Sequence, residues 1–179
     1  RINAAGRVGH ALTAAKLLMA NDEGAALELA SQLETMNQAR RDIDEDLTEE
    51  AIALMAEQPP GRFCTIVHGE GWHRGVLGIV ASRLVEQRYC PAIVLSEENE
   101  VLTGSARSVP GIDIHEAFEK CRHLIDQFGG HPMAAGLTIR KENMDAFTTE
   151  LNKVIAAQTK GHIPQHTVAY HMPIKINDL

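Results

Sequence analysis

The chain has 179 residues, 44% of them hydrophobic and only 4% aromatic, so it can bury an aliphatic core, yet it has no apolar run long enough to span a membrane. The formal charge of −7 is uneven: residues 1–60 carry five Lys/Arg against eleven Asp/Glu, and residues 61–140 carry eight against nine, so the middle of the chain stays open to an anionic ligand. Three scattered cysteines (Cys64, Cys90, Cys121) without C-x-x-C spacing argue against a disulfide framework or a zinc site and for reduced thiols in a cytoplasmic protein.

In chain order, the stretch R-I-N-A-A-G-R (1–7) reads as a polar turn leading into a short helix from Val8 to about Met19. Asn21 and Asp22 offer capping oxygens for a further helix. Leu27, Ala30, Leu33, Met36, Ile43, Leu47, Ala51 and Leu54 then recur at helical steps until Pro59-Pro60. Roughly 35 residues of helix would be about 50 Å long, more than a compact domain needs, and read as a connector between two bodies. Two helices with a break near Asp42 to Asp46 are the alternative.

Past Pro60 the period changes. F-C-T-I-V-H (63–68) reads as a strand, Gly75 to Arg88 as a helix and P-A-I-V-L-S (91–96) as a buried strand. After the polar turn E-E-N-E, V-L-T-G-S-A-R (101–107) is a third strand. Ile114 to Phe128 looks helical, A-A-G-L-T-I-R (134–140) is a strand, Lys141 to about Gln158 a helix, and 167–175 strand-like. Strands alternating with helices predict an α/β domain: a mixed sheet of about five strands flanked by helices, preceded by a long connector helix. The expected organisation is the end of an upstream lobe and the connector in 1–60, the α/β domain in 61–160, and a final strand or the start of another domain in 161–179. A chain opening on Arg1 within a patterned stretch is expected to be part of a longer protein.

Four places suit an anion. In G-S-A-R-S (104–108), Gly104 permits close backbone approach, while Ser105 and Arg107, two apart on a strand, point to one side as a hydroxyl and a guanidinium able to grip phosphate. The reading without function is a solvated strand end. G-W-H-R-G-V-L-G (71–78) leads into a helix start, with His73 facing a cleft or, more blandly, Trp72 plugging the core. In F-G-G-H-P-M-A-A-G (128–136), Gly129 and Gly130 leave bare backbone beside His131, which can donate to an anionic oxygen or protonate a leaving group. Arg1 and Arg7 flank the opening stretch. No D-H-H triplet or H-E-x-x-H occurs, so no metal ligands are assigned here.

Taken in this order, R-I-N-A-A-G-R, G-W-H-R-G-V-L-G-I-V-A-S-R-L, G-S-A-R-S and F-G-G-H-P-M-A-A-G-L resemble the RecJ family of single-strand-specific 5′ exonucleases, in the DHH phosphoesterase superfamily, over roughly residues 1 to 160. The resemblance is to the C-terminal part of the catalytic core, with the DHH-associated domain. It implies an upstream DHH domain holding Mn2+ or Mg2+, a cleft between the two lobes, and hydrolysis of single-stranded DNA from the 5′ end in DNA repair and recombination. Ser105 and Arg107 would hold the terminal phosphate, assisted by Arg1 or Arg7, with His73, Gly104, Gly129 and Gly130 lining the strand. His131 would touch the scissile phosphate. Single-stranded DNA and the upstream domain are the implied partners, with a single-strand-binding protein as a further candidate. This stretch alone would be inactive. A phosphodiesterase of short oligoribonucleotides or cyclic dinucleotides, or a non-catalytic nucleic-acid-binding module, are the other readings.

Overall fold

The computed structural model describes residues 1–162 and 165–166. Two short helices, α1 (Ile2–Val8) and α2 (Leu12–Leu18), lie against the first part of α3 (Glu23–Ala56) through Ala5, Ala14, Leu33, Leu17 and Met36. The expected single helix from Val8 to Met19 is therefore two, and R-I-N-A-A-G-R is itself helical. The break comes at Gly9, whose backbone is extended; a Cβ there would sit 3.4 Å from the Met36 methyl of α3. Glycine, a poor helix former, is where the helical run gives way.

Helix α3 is continuous over 34 residues, about 50 Å. Asp22 starts it, its carboxylate accepting the Ala25 N–H at 2.8 Å. No break occurs near Asp42 to Asp46, because that acidic stretch has a place to go. Asp44 is only 1% exposed and accepts from Arg40, one turn earlier, and from Arg83 at 2.8 Å. Beyond it, Leu47 and Ala51 pack on the sheet domain.

That domain is built from β1 (Thr65–Glu70), α4 (Leu77–Gln87), β2 (Ala92–Glu98), β3 (Val101–Arg107), α5 (Ile114–Lys120), β4 (Gln127–His131), β5 (Ala134–Arg140) and α6 (Met144–Gln158). Among the described residues the sheet has five strands in the order β1-β2-β3-β5-β4, with β1 and β2 parallel and the other pairs antiparallel. Asn99 and Glu100, both at positive φ (51° and 61°), make the tight β2–β3 turn whose twist suits a two-residue hairpin.

The fifth strand is not the expected one. Residues 167–175 lie outside the described residues, and β4 is supplied by Gln127–His131. The helix expected over 114–128 stops at Lys120; a 3₁₀ turn covers Arg122–Leu124, and Asp126 N–H then donates to Thr138 O at 3.0 Å. Ile114, Ala117, Phe118, Cys121 and Ile125 keep a helical apolar period and are all buried, yet the glycine pair that follows prefers the open edge of β5.

Alternation along the strands sorts the two faces. Ile66, Ile93, Leu95, Leu102, Ala106, Leu137 and Ile139 face α5 and α6, where Phe118 and Phe147 are fully buried with ring centroids 6.0 Å apart. Each such ring contributes about 1.5–3 kcal/mol of burial. On the other face Val67, Ala92 and Val94 lie beneath α4 and the end of α3. The helices cover only part of this second face. On β3, β5 and β4 it carries half-buried and exposed polar or small residues instead.

Candidate functional site

Register places the site. Arg107 pairs with Ala134, which pairs with His131; Ser105 pairs with Gly136, which pairs with Gly129; Thr103 pairs with Thr138, which pairs with Gln127. Residues directly opposite share a face, so these three rows lie side by side on the open face. The Ser105 and Arg107 rows are about 7 Å apart along β3, and Arg107 and His131 are two strands, about 10 Å, apart at the backbone. His131 is anchored from behind: the two carbonyls of the β4–β5 turn, Pro132 and Met133, accept the N–H groups of Ile114 and Ser108 at 3.0 Å each.

Arg107 reaches from its strand onto the start of α4. Its Nη2 lies where a Cβ on Gly78 would be, at 2.6 Å. One hydrogen bond holds it, Nη1 to the Ala106 carbonyl at 2.8 Å, and no carboxylate pairs with it among the described residues. Arg7 arrives from the opposite side, its Nη1 donating to the Gly75 carbonyl at 2.9 Å, and a Cβ on Gly75 would strike the Arg7 carbonyl oxygen at 2.1 Å. Burial first, and then the like charge of Arg7, push the Arg107 pKa below the ordinary guanidinium value. Guanidinium stays charged despite such shifts. Arg7 at Gly75 and Arg107 at Gly78 thus bring two positive charges to the start of α4, whose cap residue Val76 provides no side-chain acceptor. An anion placed there would offset the two like charges and accept from the free first-turn amides.

The other expected residues fall into place around this corner or away from it. Ser105 is half-buried in the row next to Arg107, and its hydroxyl makes no hydrogen bond within the described chain. Ser108 is structural, since its hydroxyl donates to the Ile112 carbonyl at 2.9 Å from a buried position. His73 is exposed beside Gly75, whose N–H it accepts at Nδ1 (3.1 Å). Arg1 stands apart: it pairs with Glu34 of α3 at 3.1 Å, and both side chains are exposed. Trp72 is buried, its Nε1–H donating to Glu50 at 3.0 Å, which closes it to base stacking.

The glycines separate by role. The close approach that Gly104 permits is to β2, where a Cβ would lie 2.0 Å from the Val94 carbonyl. Gly130 is required by its φ of 145° and by Ala134 O at 2.4 Å. Gly129, by contrast, faces open space. Sequence reading missed Gly75 and Gly78 as the seats of the two arginines, and it missed the Thr103 row. The alternation T-x-S-x-R within 103–107 is the signal that places Thr103 beside Ser105 and Arg107.

Among the described residues no three of His, Cys, Asp or Glu gather to hold a metal ion, and no helix is long and apolar enough to cross a membrane.

Residues 60–157 match the DHHA1 domain family. The single-stranded-DNA-specific exonuclease RecJ of Bacillus subtilis is 41% identical over 156 residues, which cover 86% of this chain and 20% of that protein. Its counterpart in Haemophilus influenzae is 39% identical over 87% of this chain and 29% of its own length. The crystal structure of RecJ from Thermus thermophilus in complex with Mg2+ superposes with a TM-score of 0.77 at 29% identity, over 87% of this chain and 24% of that one. The chain thus spans between a fifth and a third of the length of these relatives.

Proposed function

The chain belongs to the DHHA1 domain family, and from that premise we propose that it is the strand-end-binding lobe of a single-strand-specific 5′ to 3′ DNA exonuclease acting in DNA repair and recombination. The observation that carries this reading is that Arg7 and Arg107 both reach the start of α4 and neither pairs with a carboxylate among the described residues. Residues far apart in sequence form a cationic seat beside the free hydroxyl of Ser105. A terminal 5′ phosphate is dianionic and small enough to take all three donors at once. Arg7 is the arginine of the opening stretch that contacts it.

His131 lies across β5 from Arg107. With the two side chains reaching inward from positions about 10 Å apart, the space between them suits one nucleotide. The terminal phosphate then fixes which bond is cut, and His131 sits at the next phosphate, donating to a nonbridging oxygen or passing a proton to the leaving oxygen. Directionality follows for a strand with a 5′ phosphate and a 3′ hydroxyl, because only its 5′ end then presents a terminal phosphate to the clamp. The divalent metal implied for this chemistry, Mn2+ or Mg2+, finds no donor set among the described residues; in this reading a DHH domain of the same protein would hold it. When bound, such a metal supplies the hydroxide. The residues of this chain bind, orient and neutralise the strand.

The test uses the full-length protein and Arg107→Ala on single-stranded DNA with a 5′ phosphate or a 5′ hydroxyl. Activity on the phosphorylated strand is expected to drop at least about tenfold, with little change on the hydroxyl end and an unchanged melting temperature; the order of magnitude is that of losing a charge-assisted contact. The isolated chain is expected to show no metal-dependent digestion. Full activity of Arg107→Ala, or digestion by the isolated chain, would refute the reading.

A further inference from the structure

We infer that the groove beside the Ser105–Arg107 pair is a nucleobase subsite, in which Gly129 and Gly136 form a bare floor and Thr103, Thr138 and Gln127 meet the polar edge of the 5′-terminal base. It rests on the proposed function only for the identity of the phosphate next door.

The groove has a volume of about 330 Å³ and is lined by Thr103, Gln127, Phe128, Gly129, Gly136 and Thr138, together with Gly104 and Leu137. None of these is charged. The cations lie one row further on, at Arg107 and Arg7. A phosphate therefore goes to the arginines, and what this groove accepts is a neutral group attached to that phosphate.

Its chemistry is more specific than an apolar slot. The Thr103 and Thr138 hydroxyls lie 3.2 Å apart and share one hydrogen between them. One O–H donor and several lone pairs remain for a ligand. Gln127 is exposed at the edge of the sheet with an amide that makes no hydrogen bond among the described residues. Donors and acceptors thus stand together along one wall, as the Watson–Crick edge of a base demands, since every base presents both.

The floor gives the independent argument. Nothing in the fold requires glycine at two of its positions. A Cβ on Gly129 would meet no atom within 4 Å, and one on Gly136 would meet only the Gly104 carbonyl at 3.5 Å, an ordinary contact. Neither has positive φ, unlike neighbouring Gly130. Glycine weakens a strand, so two adjacent ones that packing does not require mark a surface kept flat for something else. A planar ring resting on exposed peptide planes needs that flatness.

The test compares 5′-phosphorylated single strands carrying either a normal or an abasic 5′-terminal nucleotide, using the full-length protein. Gln127→Ala, Thr138→Val and Gly129→Val are expected to raise KM on the normal strand by roughly three- to tenfold, the effect of one lost or blocked polar contact, with kcat little changed. On the abasic strand the same variants should match wild type. Gln127→Ala removes an exposed side chain, so its folding is secure even if Thr138→Val is not. Equal penalties on both strands, or none on either while Arg107→Ala still loses activity, would overturn the subsite. If instead Arg107→Ala retains activity, the phosphate clamp fails, and a base-dependent penalty in Gln127→Ala would still uphold the groove.

Discussion

Gly78→Ala separates folding from binding at this site. Gly78 is the second residue of α4, and an added Cβ would lie 2.6 Å from Arg107 Nη2 and 3.3 Å from its Cζ. Ordinary contact begins near 3.4 Å, so the guanidinium must retreat by about 0.8 Å. The atom that moves is the end of a flexible side chain, so the backbone is not strained, and alanine in a helix gains up to about 1 kcal/mol over glycine. A hydrogen bond stretched from about 2.8 to 3.6 Å is no longer one. Losing a charge-assisted contact costs about 1.5–3 kcal/mol, roughly 10- to 150-fold in Kd. The assay is fluorescence anisotropy of the full-length protein with 5′-phosphorylated and 5′-hydroxyl single strands, without divalent metal, beside a thermal melt. The preference for the phosphate is expected to fall at least about tenfold while Tm holds or rises. An intact preference at unchanged Tm would show that Arg107 does not grip the terminal phosphate, and a large drop in Tm would show that the space around Gly78 serves packing.

Gly75→Ala should behave in the opposite way, because its Cβ would strike the Arg7 carbonyl at 2.1 Å and backbone cannot swing aside; thermal unfolding should report a loss of about 1–3 kcal/mol, and a neutral effect would contradict the packing of the end of α1 against the loop before α4. Burial raises the thiol pKa of Cys64, and of Cys121 to about 11 with help from the Glu150 carboxylate. The fold therefore prefers both neutral thiols. Their contribution is complete below about pH 9 and is lost as pH rises from there towards 11, by about 1.4 kcal/mol per pH unit per thiol once the unfolded thiols ionise. Urea unfolding at about pH 8, 9 and 10 should show the decline, and a flat profile would refute it.

The sequence by itself determined the elements whose cause is local. The period of α3 and its stop at Pro59-Pro60, the alternation of β1, β2, β3 and β5, and the polar β2–β3 turn are all written in neighbouring residues, and the structure has them within a few positions. The same alternation put Ser105 and Arg107 on one side of a strand. Tertiary structure decided what local pattern left open. The run from Ile114 to Ile125 is periodic enough for a longer helix, but Gln127–His131 became a strand because β5 offered it an edge. The helix broke at Gly9, whose extended backbone separates α1 from α2. Asp44 kept α3 whole because Arg83, 39 residues later, supplies a counter-charge. Most consequentially, nothing in the residues around Arg7 or Arg107 announces the other. They come to the same end of α4 because α1 packs on α3, α3 packs on α4, and α4 lies on the sheet, with Gly75 just before the helix and Gly78 in its first turn leaving room for the two arginines. Pairings of that sequence separation depend on the whole core forming, which is why the motifs along the chain named Arg107 together with Arg1 or Arg7, and only the fold put Arg7 beside α4 and left Arg1 paired with Glu34.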